Sequence, residues 1–408
     1  MRGRWSVRER LLGSSGLPRE VYVLGLIAFC VAVGFGVLVP VLPVFARAFG
    51  VDNFAVGAVV SAFAAMRLLT SPFCGRLIDT FGERTVMATG IFVVALSSGV
   101  AGVSQSYGQL LVLRGVGGVG SAMFTVSATT LLLTSVETGL RGRAAGFSQA
   151  GFLLGGMAGP AIGGLLAAIS LTAPFFFYAG TLAVAGAVGL VLLRTRSERL
   201  DTTAVPVVPF RQVLGDKRYQ AACVTNLAQG WTSFGVRSTL IPVLVVEVLD
   251  RPPSWTGIAF ACAAVAQTLA VGPVGRFVDT VGRRPAMIAG GTIAGLAILA
   301  VPFAPTIWLL IAALCLYGVA AAFLGTAPAA SVGDAAGGRG GTAVAVFSMC
   351  SDVGAIVGPL VAGWLADTFS YPAAFAVGAV LLLGAAATSA RMPPTVAGTA
   401  EVASADLR

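Results

Sequence analysis

The sequence predicts an all-α membrane protein in which twelve transmembrane helices form two pseudo-symmetric six-helix bundles. The first observation is composition: 57% of the 408 residues are hydrophobic and only 11% are charged, whereas soluble domains carry about 25% charged residues. The second is a series of apolar runs, each long enough to cross a bilayer as a helix of about 20 residues. The third is an internal repeat that relates the later runs to the earlier ones.

The apolar runs fall into two groups of six. We expect helices because lipid offers no partners to backbone polar groups. The sequence has none of the alternating segments of about ten residues that build a membrane β-barrel. The runs span approximately 21–46, 54–74, 86–104, 108–134, 143–168 and 173–193, and then 219–246, 254–275, 286–303, 306–332, 341–366 and 371–390.

The basic residues predict the orientation of the chain. An even number of spans places both termini on one side of the membrane, and we take that side to be the cytoplasm. Three arginines lie inside spans. Of the other basic residues, only Arg47 and Arg251 then fall outside the cytoplasmic segments, as the positive-inside rule requires. We therefore expect a multi-pass, monomeric protein of the cell membrane. Its predicted parts are a cytoplasmic tail 1–19, a bundle 20–193, a cytoplasmic linker 194–218, a bundle 219–391 and a cytoplasmic tail 392–408.

Composition also limits the chemistry. The chain has no histidine, which is the usual proton carrier near neutral pH, so any proton coupling must use carboxylates. Its six cysteines form no CxxC pair and no metal-ligand spacing. The net charge of +9 suits nucleic acid or anionic lipid, but its distribution favours membrane orientation. We expect no metal, no cofactor and no nucleic-acid partner.

The internal repeat keeps one order and nearly one offset. Because six spans separate the copies, both copies have the same orientation in the membrane. The repeated landmarks are GRLIDTFGER at 75–84 and GRFVDTVGRR at 275–284, Phe35-Gly36 with Pro43 and Phe234-Gly235 with Pro242, and Gly159-Pro160 and Gly358-Pro359.

The loop after span 2 resembles the cytoplasmic gating motif of the major facilitator superfamily, whose fold is a parallel repeat of this kind. The resemblance implies that Asp79 meets the N-terminus of span 11 near Gly341, where free N–H groups stabilise a carboxylate. The sequence departs from the family pattern at Glu83, where a basic residue is usual. The candidate gating residues are Gly75, Asp79, Gly82, Arg84, Glu137, Asp279 and Arg283.

Two further motifs resemble those of the family's antiporters. Arg114 lies seven residues inside span 4 and opens a glycine-rich run; the alternative is an arginine that reaches the outer interface. In span 5, glycines recur every four residues around Pro160, so that another backbone can approach closely. The resemblance implies antiport, and the alternative is helix packing alone. The candidate residues of this second motif are Gly155, Gly159, Pro160 and Gly163.

Proton coupling is predicted at Asp352, with Arg114 and Arg67. Asp352 is the only carboxylate deep within a span, and ionisable residues at such depth are usually functional. Spans 2 and 11 meet between the two halves in this fold, so we expect Arg67 and Asp352 to pair in one state and to separate in another. The alternatives are a structural role for Asp352 and an Arg67 that reaches the cytoplasmic interface.

A substrate site is predicted among aromatic, amide and charged residues within the spans. Together they suit an amphipathic organic molecule in a central cavity, and the alternative for each is packing. The candidates are Arg237, Phe35, Phe124, Phe152, Asn226, Gln229, Trp231, Phe234, Gln267 and Tyr317.

The resemblance to the twelve-span drug:H⁺ antiporters implies proton-coupled, alternating-access efflux of a small amphipathic drug or metabolite across the cytoplasmic membrane. The coupling ion would be H⁺, and the partners would be this small molecule and the bilayer. The alternative is a symporter or exchanger of an organic anion, because the deep charges are mostly positive. An enzyme is disfavoured because the sequence has no nucleophile–base pair or phosphate-binding loop.

Overall fold

The computed structural model of the chain describes residues 17–136, 140–193, 210–335 and 341–393. This part of the chain is helical and contains no β-strand. We number the helices that correspond to the predicted spans α1 to α12. They are α1 Arg19–Leu38, α2 Asn53–Phe81, α3 Glu83–Ala101, α4 Tyr107–Thr134, α5 Arg141–Ile169, α6 Ala173–Leu192, α7 beginning at Lys217, α8 Ser254–Thr280, α9 Arg283–Ala300, α10 Ile307–Ala335, α11 Gly341–Thr368 and α12 Tyr371–Ala390.

The helix α7 differs from the others because it is not one regular helix. It runs without a gap through α-helix Lys217–Gly230, π-helix Trp231–Leu240 and α-helix Ile241–Glu247. Within the described ranges, eleven helices have the length and hydropathy of membrane spans. The seventh predicted span is absent from that number because the π-helix divides it into short pieces. Short π segments are rare and are frequent at functional sites.

Local signals in the sequence determine where α2 begins and ends. The side chain of Asp52 accepts a hydrogen bond from the backbone N–H of Ala55 at 2.8 Å, which caps the first turn. The helix ends at Gly82, whose φ of +79° is a left-handed conformation that glycine adopts without strain. The equivalent Gly282 has a φ of +112°, so the two copies of the repeated loop turn in the same way.

Each half has its own hydrophobic core. The buried residues of one cluster lie within 21–193, and those of the other two clusters lie within 213–392. Within the first half, the glycines of α5 lie directly against α1. A Cβ added at Gly159 would lie 2.6 Å from the Cα of Gly36, and one added at Gly163 would lie 2.4 Å from the carbonyl oxygen of Val37. The predicted close approach of another backbone to the glycine stripe is confirmed.

The two halves meet along two pairs of helices, α2 with α11 and α5 with α8. In the first pair, a Cβ added at Gly57 would lie 2.1 Å from the carbonyl oxygen of Pro359. In the second pair, a Cβ added at Gly257 would lie 2.4 Å from the Cα of Gly164. Both close approaches lie near the end of the molecule that carries residues 47–54 and 247–254.

The glycines toward the opposite ends of the same helices make no such close approach. A Cβ built at Gly75 of α2, Gly146 of α5, or Gly272 or Gly275 of α8 would have no neighbouring heavy atom within 4 Å. We infer that the neighbouring helices of the two halves are separated at this level. The structure is closed at the 47–54 end and splayed toward the 75–84 end.

Candidate functional site

Three adjoining cavities lie between the two halves. Phe35 of α1 and Phe234 of the π-helix line all three. We name the larger two by their position: the N-side cavity has a volume of about 430 Å³ and the C-side cavity about 300 Å³. Ligand sites commonly have volumes of about 300–1,000 Å³. Phe35 and Phe234 are equivalent positions of the internal repeat, so the duplication places one copy of the same side chain on each side of the centre.

Arg67 and Asp352 form an ion pair across the interface between the halves. A terminal guanidinium nitrogen of Arg67, on α2, donates to the Oδ1 atom of Asp352, on α11. The two side chains are 29% and 23% exposed, and Arg67 lines the N-side cavity. The expected juxtaposition of these two side chains is present. The Arg67 guanidinium group is directed at this carboxylate. Their part in proton coupling stays a prediction.

Arg114 lies deep in the first half and borders the smallest of the three cavities. Only 4% of the residue is exposed, and its guanidinium carbon lies 4.5 Å from the centre of the Phe63 ring. Such stacking stabilises a desolvated cation. Its Nε atom has no hydrogen-bond partner among the described residues. This position excludes the alternative in which Arg114 reaches the outer interface.

Arg237 occupies a comparable position in the second half. The π-helix carries it over the ring of Phe260, at 4.9 Å, and within 5.9 Å of the ring of Tyr317. The Tyr317 hydroxyl lies 3.2 Å from the Oγ atom of Ser233, which fixes that ring. The Nε atom of Arg237 has no hydrogen-bond partner in the described part of the chain, and the residue lines the C-side cavity.

Not all candidate substrate residues reach these cavities. Tyr317 lies behind Arg237. Asn226 donates to the Phe347 carbonyl oxygen at 2.7 Å. The indole Cδ1 atom of Trp231 would lie 3.9 Å from a Cβ added at Gly378 of α12. These side chains lie on the face of α7 that packs within the second half, and Gln229 is also absent from the lining. The candidates that line at least one cavity are Arg237, Phe35, Phe124, Phe152, Phe234 and Gln267.

The structure adds lining residues that sequence reasoning missed. Phe63, Ser121 and Thr125 line the N-side cavity. Ser238 and Thr268 line the C-side cavity. Ser238 and Thr268 directly follow two candidates, Arg237 and Gln267, and Phe63 lies one helical turn before Arg67. For Phe63, helical spacing from a deep charge was therefore the available signal.

The structure describes the surroundings of some of the candidate gating residues. Asp79 and Asp279 are exposed, and the meeting of Asp79 with the N-terminus of α11 stays a prediction. Arg283 forms an ion pair with Asp334, with 3.0 Å between Nε and Oδ2. The Nε atom of Arg84 is buried without a hydrogen-bond partner among the described residues. Glu137, the partner suggested for Arg84, lies outside the described residues.

At the closed end, polar contacts join the halves. The Oδ2 atom of Asp367, at the end of α11, accepts from the Phe54 backbone N–H at 2.8 Å, and its Oδ1 atom accepts from the Asn53 side chain at 2.7 Å. Arg47 donates from Nε to Glu247 at 2.7 Å, and this hydrogen bond raises the pKa of Arg47. We call Asp367 and the N-terminus of α2 the end latch. None of the residues of the end latch is among the site residues predicted from the sequence.

Comparison with known proteins places these features in a family. The sequence profile of the Major Facilitator Superfamily matches residues 24–252 and again residues 222–405. The chain is 29% identical over 175 residues to the "Quinolone resistance protein NorA" of Staphylococcus aureus, covering 43% of each chain. It is 31% identical over 167 residues to "Multidrug resistance protein 2" of Bacillus subtilis, covering 41% of this chain and 42% of the relative. The alignments thus span less than half the length of these curated relatives.

Solved structures share the fold across nearly the whole chain. A bacterial homologue of the human lysosomal transporter Spinster, in an inward-facing and occupied conformation, superposes with a TM-score of 0.74 at 16% identity, covering 95% of this chain and 97% of that one. The human organic anion transporter MFSD10 superposes with a TM-score of 0.66 at 21% identity, covering 91% and 100%. At these identities the likeness is one of fold.

Proposed function

The chain belongs to the major facilitator superfamily, and we propose that it exports a small amphipathic organic molecule by alternating access in exchange for protons. The similarity to drug-resistance proteins supports efflux. The observation that carries the proposal is the Arg67–Asp352 pair, which joins the halves beside the central cavities. In this family, movement of one half against the other exposes a central site to alternate sides of the membrane.

The proposed coupling follows from the charge of Asp352. Ionised Asp352 attracts Arg67 and holds α2 against α11. A proton on the carboxylate removes that attraction, so the two helices separate more readily. Substrate and proton then favour opposite conformations. Each ligand shifts the populations of the two conformations only to the extent that it binds one conformation more tightly than the other.

We further propose that the closed end of the molecule faces the outside of the cell. The positive-inside distribution of charge supports this orientation, because the splayed end carries the arginine-rich loops 76–84 and 276–284. In that orientation the structure is open toward the cytoplasm, and the N-terminal and C-terminal tails are cytoplasmic. Substrate would enter the cavities from the cytoplasm.

A second candidate function is uptake or exchange of an organic anion. The observation that favours it is the presence of Arg114 and Arg237 beside the cavities without a carboxylate partner among the described residues. The two functions differ in the direction in which protons move relative to the substrate.

Transport in proteoliposomes with an imposed pH gradient tests the proposal. We would begin the screen with a quinolone, because one relative is a quinolone resistance protein. Antiport predicts accumulation when the lumen is acidic, above the level in protein-free vesicles at the same gradient. Accumulation driven by external acid would instead indicate symport.

The variant Asp352→Asn tests the proposed coupling residue. We expect it to lose accumulation driven by the gradient while it retains exchange of substrate across the membrane. The matched control is Asp250→Asn, since Asp250 is exposed and its positive φ of 49° suits asparagine. Full coupling in Asp352→Asn would rule out the role of this carboxylate.

A further inference from the structure

The charges around the central cavities do not balance. Three arginines lie at this depth, at 67, 114 and 237, but only one carboxylate, Asp352. That carboxylate is used by Arg67. Among the described residues, neither Arg114 nor Arg237 has an ion pair or a hydrogen bond to its side chain. The cavities therefore retain positive charge.

An arginine in this setting needs an anion for full compensation. Stacking on an aromatic ring covers one face of the guanidinium group, but it leaves the N–H groups at the edge without acceptors. Removing a charge from water is costly unless the charge is paired and hydrogen-bonded. The planar fork of N–H donors matches a carboxylate, which it binds through two parallel hydrogen bonds.

The surroundings distinguish Arg237 from Arg114. Arg114 is almost fully enclosed beneath Phe63. Arg237 shares the C-side cavity with the side-chain amides of Gln149 and Gln267, which can donate hydrogen bonds to an anion. The hydroxyl groups of Ser238 and Thr268 also line this cavity, but they donate to backbone carbonyl oxygens of their own helices. A bound anion at Arg237 could therefore satisfy its remaining oxygen lone pairs.

The same cavity offers an apolar surface to the rest of a ligand. Phe35, Phe152 and Phe234 line it from three helices. Aromatic rings pair favourably with other rings in offset or edge-to-face arrangements. A volume of about 300 Å³ admits a small ring system rather than a bulky one. An inorganic anion would leave these rings without a partner.

We propose that the substrate is an aromatic carboxylate, or a zwitterion that contains one, and that Arg237 binds the carboxylate while the phenylalanines of the C-side cavity hold the ring. This inference rests on the proposed function, because it specifies what the exporter binds. It distinguishes the protein from an exporter of purely cationic compounds, for which the retained positive charge would be repulsive.

Equilibrium binding of two probes of matched shape tests this inference. The probes are 1-naphthoate and 1-naphthamide, and the protein is the purified full chain in detergent without a pH gradient. A charge-assisted hydrogen bond contributes about 1.5–3 kcal/mol, so we expect wild-type protein to prefer naphthoate by about tenfold or more. Arg237→Gln should bring the ratio of the two affinities close to one, and Arg237→Lys should keep part of the preference.

Two controls make the result specific. Arg251→Gln removes the same charge from an exposed position in the same half, and it should leave the preference unchanged. Competition by acetate should be weak, because acetate lacks the ring. Size-exclusion chromatography confirms that each variant is folded before its affinities are compared.

The inference is wrong if wild-type protein binds the two probes equally, if it binds neither, if the preference survives in Arg237→Gln, or if acetate competes as well as naphthoate. Failure of the proposed function would look different. In that case the preference for naphthoate would remain in the binding assay, while transport would show no exchange with protons.

Discussion

At the scale of single residues, the three deep arginines are stabilised in three different ways. Arg67 pairs with a carboxylate from the other half. Arg114 lies against Phe63 inside its own half. Arg237 lies over Phe260 and borders a cavity. We infer that only the first of these arrangements changes when the halves separate, because only that one crosses the interface.

The Arg67–Asp352 pair should behave as a coupled unit in a double-mutant cycle. Arg67→Gln and Asp352→Asn each leave one charge without its partner, whereas the double variant leaves none. Because both side chains are partly exposed, we expect a coupling energy of about 1 kcal/mol rather than the larger value of a fully buried pair. Denaturation of the four proteins in the same detergent measures it. Additive destabilisation would show that the contact contributes nothing.

At the scale of helices, the antiparallel pair α2 and α11 carries the polar contacts that hold the halves together near the closed end. Ser61 donates to the Ile356 carbonyl oxygen at 2.6 Å, and the Asp367 carboxylate accepts hydrogen bonds at the N-terminus of α2. A carboxylate at this position also interacts favourably with the positive end of the helix dipole. The gating motif places Asp79 near the other end of α2, where the sequence predicts the reciprocal contact with α11.

Loss of charge at Asp367 should weaken the closed end. Helix-terminal carboxylates typically contribute about 0.3–1 kcal/mol, so Asp367→Asn should lower the ratio of closed to open molecules by about two- to fivefold. Spin labels on cysteines introduced at Val103 and Phe303, both exposed near this end, measure the distance between the halves. In Asp367→Asn a larger share of these label-to-label distances should be long. Asp52→Asn is the matched control, since Asp52 caps the same helix from within its own half. An equal shift in both variants would exclude a latch between the halves.

The close approach at Gly57 should also be required for closure. In Gly57→Ala the new methyl group would meet the Pro359 carbonyl oxygen at 2.1 Å, so the halves must separate at this end. The same pair of spin labels should show the opened distance. Gly75→Ala is the control, because its methyl group would meet no atom within 4 Å. An unchanged distance distribution in Gly57→Ala would contradict this account of the interface.

At the scale of the whole molecule, the sequence predicts the helices and the repeat because both depend on local hydropathy and spacing. The predicted start of α12 at 371 is its observed start, Tyr371. The π-helix in α7 was not predicted, since its apolar pattern does not differ from that of an α-helix. The end latch joins Asn53 to Asp367 across most of the chain, and nothing in either local sequence indicates the other. The empty space beside Arg237 likewise depends on how four helices pack.

The central claim is that entry of substrate into the central cavities is exchanged for a proton carried by Asp352. The most direct measurement is the lumenal pH of proteoliposomes, reported by a trapped dye, when substrate is added without a preset gradient. We predict that the lumen becomes more alkaline as substrate enters through wild-type protein, and that the pH does not change with Asp352→Asn. Acidification of the lumen, or an equal response of the variant, would contradict the claim.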